Sequence, residues 1–240
     1  MSWMLKDACH RFDFSAMTGG DLMELKFLGH AAFQLKLDNG KLLVFDPYEA
    51  GSYDGALKYS PIQGDFDIAV VSHGHADHYD SDIVSGIENV VESEGSFTFD
   101  GITVNTYPCY HDETEGEERG ENLISIVEAG GRRIAHLGDL GHQISEDDLP
   151  GLKGVDVMMI PVGGYFTIDA ATAGRIVDEF KPAVTVPMHF KTGKVEFPIN
   201  PVSDFTSLRE NVIEEGGSVL ELNDRLFSGG RKTVLLEPAN

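Results

Sequence analysis

Three histidines and an aspartate fall within six consecutive positions of this sequence, at His73, His75, Asp77 and His78. They follow the apolar run 68–71, which predicts a strand that ends just before them. In an extended segment, residues two apart point to the same side, so His73 and His75 can bind one cation together. A turn through the small residues between them brings Asp77 and His78 to a second position nearby. Imidazole and carboxylate groups bind zinc, iron or manganese, so the spacing predicts a metal site rather than a chance grouping of polar residues.

Two cations need more ligands than this one turn supplies, because each binds about four to six donor atoms. Further ligands are expected at the ends of other strands, since strand ends meet at one edge of a sheet. His111, Asp139 and His189 each end an apolar or alternating run and precede loop residues. Taken alone, each also has a structural interpretation, as a surface histidine, a turn residue after glycine and a core histidine, respectively.

The chain is 240 residues long and 41% hydrophobic, which suits a soluble globular protein with a sizeable core. Residues 1–22 lack clear periodicity and are expected to form an extension before a single domain at 23–240. No apolar run approaches the roughly 20 residues of a membrane helix, and residues 1–22 do not resemble a signal peptide. The two cysteines, Cys9 and Cys109, form no CxxC pair, so a reducing, cytoplasmic setting is expected.

The formal net charge of −22 bears on the possible partners. An excess of negative charge repels polyanions, and the sequence has no basic stripe, so nucleic acid is not an expected partner. Nor does a cluster of lysine and arginine indicate binding to a membrane surface. The expected partner is a small-molecule substrate, and the sequence leaves a homo-oligomer open.

The periodicity of the chain predicts strands first and an alternation of strands and helices later. Strands are predicted at 24–28, 33–37, 41–45, 67–72, 90–91, 97–99, 102–110, 122–128, 132–137, 155–162, 183–186, 219–222 and 233–236. Helices are predicted at 80–87, from 145 to about 150, at 169–180, and from Pro201 with Phe205, Leu208 and Val212 on one side. The acidic stretch 112–121 is expected to be an exposed loop.

Several of these segments resemble motifs of a known family. The cluster His73-Gly74-His75-Ala76-Asp77-His78 resembles the HxHxDH signature of the metallo-β-lactamase superfamily. Further along the chain, Gly138-Asp139 and Pro187-Met188-His189 resemble later metal-ligand motifs of that superfamily. Shorter motifs are similar to a branch of metal-dependent hydrolases related to ascorbate-6-phosphate lactonase: Gly29-His30-Ala31-Ala32-Phe33, Phe45-Asp46-Pro47 and Pro161-Val162-Gly163-Gly164. The resemblance covers about residues 23–237.

This resemblance implies an α/β (α+β) fold, a four-layer αββα sandwich with two mixed sheets face to face, helices outside and metals at one edge. It implies that two divalent cations are bound, the first by His73, His75 and His111. The second would be bound by Asp77, His78 and His189, and both would be bridged by Asp139. Zinc is the expected metal, and manganese, iron and nickel are alternatives that the same ligands accept.

The function expected of such a site is hydrolysis of a small ester, lactone or phosphoester by a water or hydroxide that bridges the cations. Asp77 is expected to orient that water and carry a proton. His142 is a candidate acid or substrate contact, with an exposed loop histidine as the alternative. Two other functions stay open, a nuclease or phosphodiesterase of the same superfamily and a non-catalytic metal-binding protein on the same scaffold.

Residues near the predicted ligands have both functional and structural interpretations. His30 and Asp46 can orient a ligand histidine, although capping of strand ends is the favoured interpretation of both. Three aromatic residues either line a pocket or pack in the core: Tyr48, Tyr165 and Phe166. Two positively charged side chains either bind an anionic group of the substrate or offset the charge of the acidic loop: Arg119 and Lys191.

Overall fold

The computed structural model of the protein describes residues 23–240. The predicted extension, residues 1–22, lies outside the described residues, and so does Cys9. Within residues 23–240, the chain forms two β-sheets, five α-helices and one short 3₁₀ helix. None of the helices in this part of the chain has the length and apolar character needed to cross a membrane.

The first sheet has six strands, which are β1 (Glu24–Gly29), β2 (Ala32–Lys36), β3 (Leu42–Phe45), β4 (Ile68–Val70), β5 (Asn89–Val91) and β13 (Val219–Glu221). Their order across the sheet is β13-β1-β2-β3-β4-β5. The strands β1, β2 and β3 pair antiparallel, whereas β3, β4 and β5 run parallel. Consequently β1, β3 and β4 all end at the same edge of this sheet.

The second sheet has eight strands: β6 (Gly95–Phe99), β7 (Ile102–Tyr110), β8 (Glu121–Ala129), β9 (Arg132–His136), β10 (Val157–Pro161), β11 (Val184–Met188), β12 (Val212–Glu214) and β14 (Lys232–Leu235). Their order is β12-β14-β11-β10-β9-β8-β7-β6. The first four strands in the chain form an antiparallel meander, and β9, β10 and β11 are parallel. The strands β7, β9 and β11 therefore point in the same direction.

The core lies on both faces of the first sheet. Alternate residues such as Phe33 and Phe45 belong to the larger apolar cluster, which also contains residues of the second sheet. The residues between them, such as Ala32 and Val44, belong to a smaller cluster on the other face. Tyr48 is fully buried in this smaller cluster, and its hydroxyl donates to Ser60 O at 2.9 Å. Its predicted alternative as a packing residue is thereby confirmed, and it does not line the pocket described below.

The helices are α1 (Ser52–Gly55), α2 (Ser81–Val84), α3 (Ala170–Phe180), α4 (Ser203–Thr206) and α5 (Asp224–Phe227). Only α3 is longer than one turn. Its first turn is capped by Asp169, whose carboxylate accepts from Thr172 N at 2.8 Å. Its buried face carries Ile176, Val177 and Phe180, as the helical spacing predicts. The predicted architecture of two mixed sheets with helices is confirmed, although the helices are few.

Two helix predictions are wrong. The segment from Ser145 forms a turn closed by Asp148, followed by a short 3₁₀ helix at Pro150–Leu152. It has too few apolar residues to bury a helical face. The helix predicted from Pro201 ends at Thr206, because the chain beyond it supplies the parallel edge strand β12. The helix predicted at 80–87 is shortened to the single turn α2.

Candidate metal centre

The predicted ligands all follow strands that end at one edge of the sandwich. His111 comes directly after β7, and His189 directly after β11. Asp139 lies three residues beyond the end of β9, and His73 three residues beyond β4. Because these strands point the same way within their sheets, the side chains that follow them converge in the cleft between the sheets.

The converging side chains form three overlapping groups whose nitrogen and oxygen atoms lie within 4.8 Å of one another. The first group is His73, His75 and His111, which is the predicted first metal site. The second group contains the predicted second metal site, Asp77, His78 and His189, together with His30. The third connects the other two and consists of His73, His78 and Asp139.

The Asp139 carboxylate lies at the centre of these groups. Its Oδ2 atom is 3.1 Å from His78 Nε2, 3.2 Å from His111 Nε2 and 3.3 Å from His189 Nε2. The same oxygen is 4.0 Å from His73 Nε2. One carboxylate therefore contacts histidines of both predicted metal sites, as a bridging ligand must.

The geometry and the chemistry of these atoms fit divalent cations. Two ligand atoms about 2.0–2.1 Å from a tetrahedral zinc ion lie roughly 3.3 Å apart. The contacts of Asp139 match that separation, and His73 Nε2 and His75 Nδ1 are 3.1 Å apart. Moreover, Asp139 Oδ1 is buried without a hydrogen-bond partner among the described residues. Buried polar atoms are rarely left unpaired, and a bound cation would satisfy this oxygen.

Two buried residues, Asp46 and His30, form hydrogen bonds with the predicted ligands. Asp46 Oδ2 accepts from His78 Nδ1 at 2.7 Å, and the same carboxylate accepts from the amide and the hydroxyl of Ser72 at 2.7 and 2.6 Å. His30 Nε2 lies 3.0 Å from Asp77 Oδ2, and its carbonyl accepts from His189 N at 2.8 Å. Simple capping of strand ends, the favoured interpretation of His30 and Asp46, does not account for these contacts with ligand residues.

The backbone at three of these positions is in the left-handed region. The φ angles are 56° at His30, 42° at Asp46 and 52° at His189. Residues other than glycine rarely adopt such angles, which cost about 1–3 kcal/mol each and occur preferentially at functional sites. The surrounding packing therefore holds the chain in a conformation that serves the placement of these side chains.

Two further buried residues hold the segment that carries Asp139. Asn122 accepts from Asp139 N at 2.9 Å and donates to Leu137 O at 3.0 Å. His136 accepts at Nδ1 from Gly138 N at 3.1 Å, so its Nε2 carries the proton. It donates this proton to Ala31 O, in the turn between β1 and β2, at 2.8 Å. The sequence shows no signal for either role, because both residues lie within ordinary strand patterns.

The protonation states follow from burial and from the close packing of opposite charges. Burial and the neighbouring His78 lower the pKa of His73 to about 3, so this ring is neutral and can bind a metal. Burial opposes ionisation of Asp139, yet the adjacent His189 and His78 hold its pKa well below the usual value. Burial disfavours the charged form of His78, but Asp139 and Asp77 raise its pKa well above the usual value. In the metal-free protein, a proton on His78 thus partly offsets the charge of the two carboxylates.

A pocket of about 340 Å³ opens onto the ligands. Besides five of the predicted ligands, its lining contains Tyr53, Arg119, Phe166 and Phe197. Phe166 and Arg119 were candidates from the sequence, whereas Tyr53 and Phe197 were not. Tyr53 donates its hydroxyl to Asp77 Oδ1 at 3.0 Å, which places a phenol beside the predicted proton carrier.

Three other candidates lie away from this pocket. His142 Nε2 accepts from Tyr110 N at 3.2 Å, and His142 is not among the residues that line the pocket. Lys191 donates to Phe197 O at 2.7 Å and so supports the pocket wall from behind. The side chain of Tyr165 is 65% exposed and lines a neighbouring pocket instead.

Comparison with known proteins agrees with this geometry. Residues 24–189 match the sequence model of a family described as a beta-lactamase superfamily domain. A UPF0173 metal-dependent hydrolase of Carboxydothermus hydrogenoformans is 30% identical over 199 residues, which cover 72% of this chain and 87% of the relative. The chain belongs to the metallo-β-lactamase superfamily. A UPF0173 metal-dependent hydrolase of Methanopyrus kandleri is 28% identical over 90% of this chain and 97% of its own length.

Two solved structures share the fold. A proposed zinc-dependent hydrolase of the metallo-β-lactamase superfamily from Thermotoga maritima has a TM-score of 0.72 and 28% identity, over 90% of this chain and 98% of that one. A metallo-hydrolase from Ignicoccus hospitalis has a TM-score of 0.61 and 19% identity, over 92% of this chain and 97% of that one. The resemblance to the branch related to ascorbate-6-phosphate lactonase stays a prediction.

Proposed function

We propose that this chain is a hydrolase with two divalent cations that cleaves a small ester, lactone or phosphoester. The observation that carries the proposal is the Asp139 carboxylate, which contacts histidines of two ligand groups below one open pocket. The relatives in Carboxydothermus and Methanopyrus are named metal-dependent hydrolases, which supports the same chemistry.

The ligands divide between the two cations as the resemblance implies. His73, His75 and His111 would hold the first, and the ligands of the second would be Asp77, His78 and His189, with Asp139 shared. Cations bound there would acidify a water molecule and polarise the bond to be cleaved. Zinc suits this set of imidazole and carboxylate ligands, and manganese, iron and nickel are also accepted.

Asp77 is placed to orient the attacking water and to carry its proton. Burial disfavours its ionised form, but His78 and the hydrogen bond from His30 hold its pKa below the usual range. Its two oxygens contact Tyr53 and His30, so the carboxylate has one orientation and a hydrogen-bonded neighbour on each side. The Tyr53 hydroxyl donates its single proton to Asp77, so it helps to fix the orientation of this carboxylate.

The size of the pocket and the net charge of the protein favour a small molecule over a nucleic acid. Its volume of about 340 Å³ lies near the lower end of the range for small-molecule sites, about 300–1,000 Å³. The net charge of −22 repels a polyanion at long range. Binding of labelled RNA at physiological salt would favour the nuclease alternative instead.

Chelation and reloading test the proposed function. We expect the purified protein to hydrolyse members of a panel of small esters, lactones and phosphoesters, to lose that activity on chelation, and to regain it with zinc or manganese. Asp77→Asn should lower kcat by about 100-fold or more, because it removes the proton carrier and weakens a ligand of the second cation. The matched variant Asp147→Asn, which makes the same chemical change at an exposed residue, should leave kcat unchanged. A fully loaded protein that cleaves no member of the panel would indicate the non-catalytic alternative.

A further inference from the structure

The pocket above the ligands has an aromatic wall that the metal chemistry does not require. Phe197 lies at its centre, with its ring edge-on to two neighbours. The ring centroids of Phe197 and Tyr53 are 5.4 Å apart at an interplanar angle of 84°. Those of Phe197 and Phe166 are 5.9 Å apart at 81°. Such a wall favours a flat apolar group on the ligand, because aromatic faces and edges pack well against it.

A cationic side chain lines the same pocket. Among the described residues, Arg119 is the only lysine or arginine in the lining, and its guanidinium carbon lies 5.8 Å from the centroid of the Phe166 ring. Within residues 23–240 its charge pairs only with Glu118, at 3.3 Å, and the side chain of Glu118 is 60% exposed. An exposed pair of this kind is weak, and a guanidinium carries five N–H donors. Arg119 therefore keeps guanidinium N–H groups that can donate hydrogen bonds to a ligand in the pocket.

The loop that carries Arg119 is ordered by one buried carboxylate. Asp112 accepts from Arg119 N at 2.8 Å and from Glu118 N at 3.0 Å. It also accepts from the backbone amides of Thr114 and Gly116, at 2.9 and 2.8 Å. This acidic stretch was expected to be an exposed loop, but Asp112 itself is buried and fixes the backbone of Arg119. A fixed backbone lowers the entropy lost when the guanidinium binds an anion.

We propose that the substrate carries a flat apolar group, which packs against Phe166 and Phe197, and one small anionic group, which pairs with Arg119. This inference rests on the proposed function and names the substrate class of the same site. The acidic surface and the small pocket disfavour polyanions, while one arginine inside the pocket admits a single negative charge. An aryl or similarly flat carboxylate that also carries the scissile ester fits these requirements.

Binding of matched probes to the metal-loaded protein tests the inference without turnover. Benzenesulfonate and methyl phenyl sulfone have nearly the same shape, but only the first is charged. By calorimetry, we expect wild type to bind benzenesulfonate at least about tenfold more tightly, since hydrogen bonds to charged groups are worth about 1.5–3 kcal/mol. Arg119→Gln should remove most of this preference and leave binding of the sulfone unchanged, which also shows that the pocket stays folded.

The matched variant Arg231→Gln removes the same charge from a residue outside this pocket and should keep the preference. Phe197→Leu should weaken both probes by a similar factor, because it reduces the aromatic wall. Equal binding of the two probes to wild type, or an undiminished preference in Arg119→Gln, would overturn the inference.

Hydrolysis separates this inference from the proposed function. We expect a higher kcat/KM for 4-acetoxybenzenesulfonate than for phenyl acetate. Arg119→Gln should lower kcat/KM for 4-acetoxybenzenesulfonate only. If neither ester is cleaved while the Arg119-dependent binding preference holds, the proposed function fails and the ligand class stands. If both esters are cleaved equally well by wild type and by Arg119→Gln, the hydrolase stands and the substrate class is wrong.

Discussion

Replacing Asp46 by asparagine removes a negative charge directly behind the ligand His78 and leaves the shape of the side chain unchanged. The carboxylate is fully buried and accepts three hydrogen bonds, from His78 and from the amide and hydroxyl of Ser72. Asparagine has one acceptor oxygen. If that oxygen faces His78 and the Ser72 hydroxyl, the new amide group faces the Ser72 N–H, so at least one bond is lost.

These contacts set the expected effects of Asp46→Asn on stability and on zinc affinity. Losing one charge-assisted bond costs about 1.5–3 kcal/mol of stability, or about 3–12 °C in Tm for a domain of this size. Carboxylate partners of ligand histidines typically contribute 10–100-fold in metal affinity. We therefore expect Asp46→Asn to bind zinc 10–100-fold more weakly, as measured by competition with a chromophoric chelator.

Asp67→Asn is the matched control for this variant. Asp67 also accepts from a backbone amide, Leu42 N at 2.9 Å, and pairs with Lys41, but it lies before β4, at the opposite end from the ligands. Its replacement should lower the Tm and leave the zinc affinity unchanged. Wild-type zinc affinity in Asp46→Asn, together with a lowered Tm, would show that Asp46 supports the fold alone and would refute the reasoning.

Three further predictions concern the same centre. Tyr53→Phe removes the hydroxyl that donates to Asp77, so kcat should fall by about tenfold without a change in Tm; an unchanged kcat would remove Tyr53 from the reaction. Because the pKa of His78 is raised in the metal-free protein, a cation must displace a proton there. Zinc affinity should therefore fall on acidification from about pH 8 to pH 6, by up to about tenfold per pH unit for each proton displaced. A zinc affinity that does not change with pH would contradict this. Gly138→Ala should lower the Tm strongly, because its new Cβ would lie 2.2 Å from a neighbouring side-chain oxygen at a φ of 52°. Gly40→Ala, also left-handed but with open space around it, should cost only about 1–2 kcal/mol; equal losses in the two variants would argue against close packing at Gly138.

The convergence of the predicted ligands could be foreseen because two simple signals coincide in the sequence. The spacing of His73, His75, Asp77 and His78 is local, and one turn after a strand is enough to bring them together. His111, Asp139 and His189 could be found because strands of the same direction end at one edge, so a polar residue after an apolar run indicates that edge. The positions of most strands along the chain also followed from local patterns, such as the apolar run before His73.

The pocket was less predictable, because its walls come from loops whose positions depend on tertiary contacts. Tyr53 lies in the single turn α1, where its backbone is left-handed with a φ of 53°, and nothing in its local sequence points towards Asp77. Phe197 reaches the pocket from a segment held by Lys191. The failed helix prediction after Pro201 has a similar cause, since Val212 pairs with a strand that lies later in the chain.

The number of divalent cations bound per chain tests the central claim most directly. Chelated protein is titrated with zinc by calorimetry, and the metal content of the reloaded protein is then measured by elemental analysis. Two cations per chain, with the second weakened or lost in Asp139→Asn, is the result that a shared carboxylate between two histidine groups predicts. One cation or none in folded wild-type protein would contradict the proposed binuclear centre.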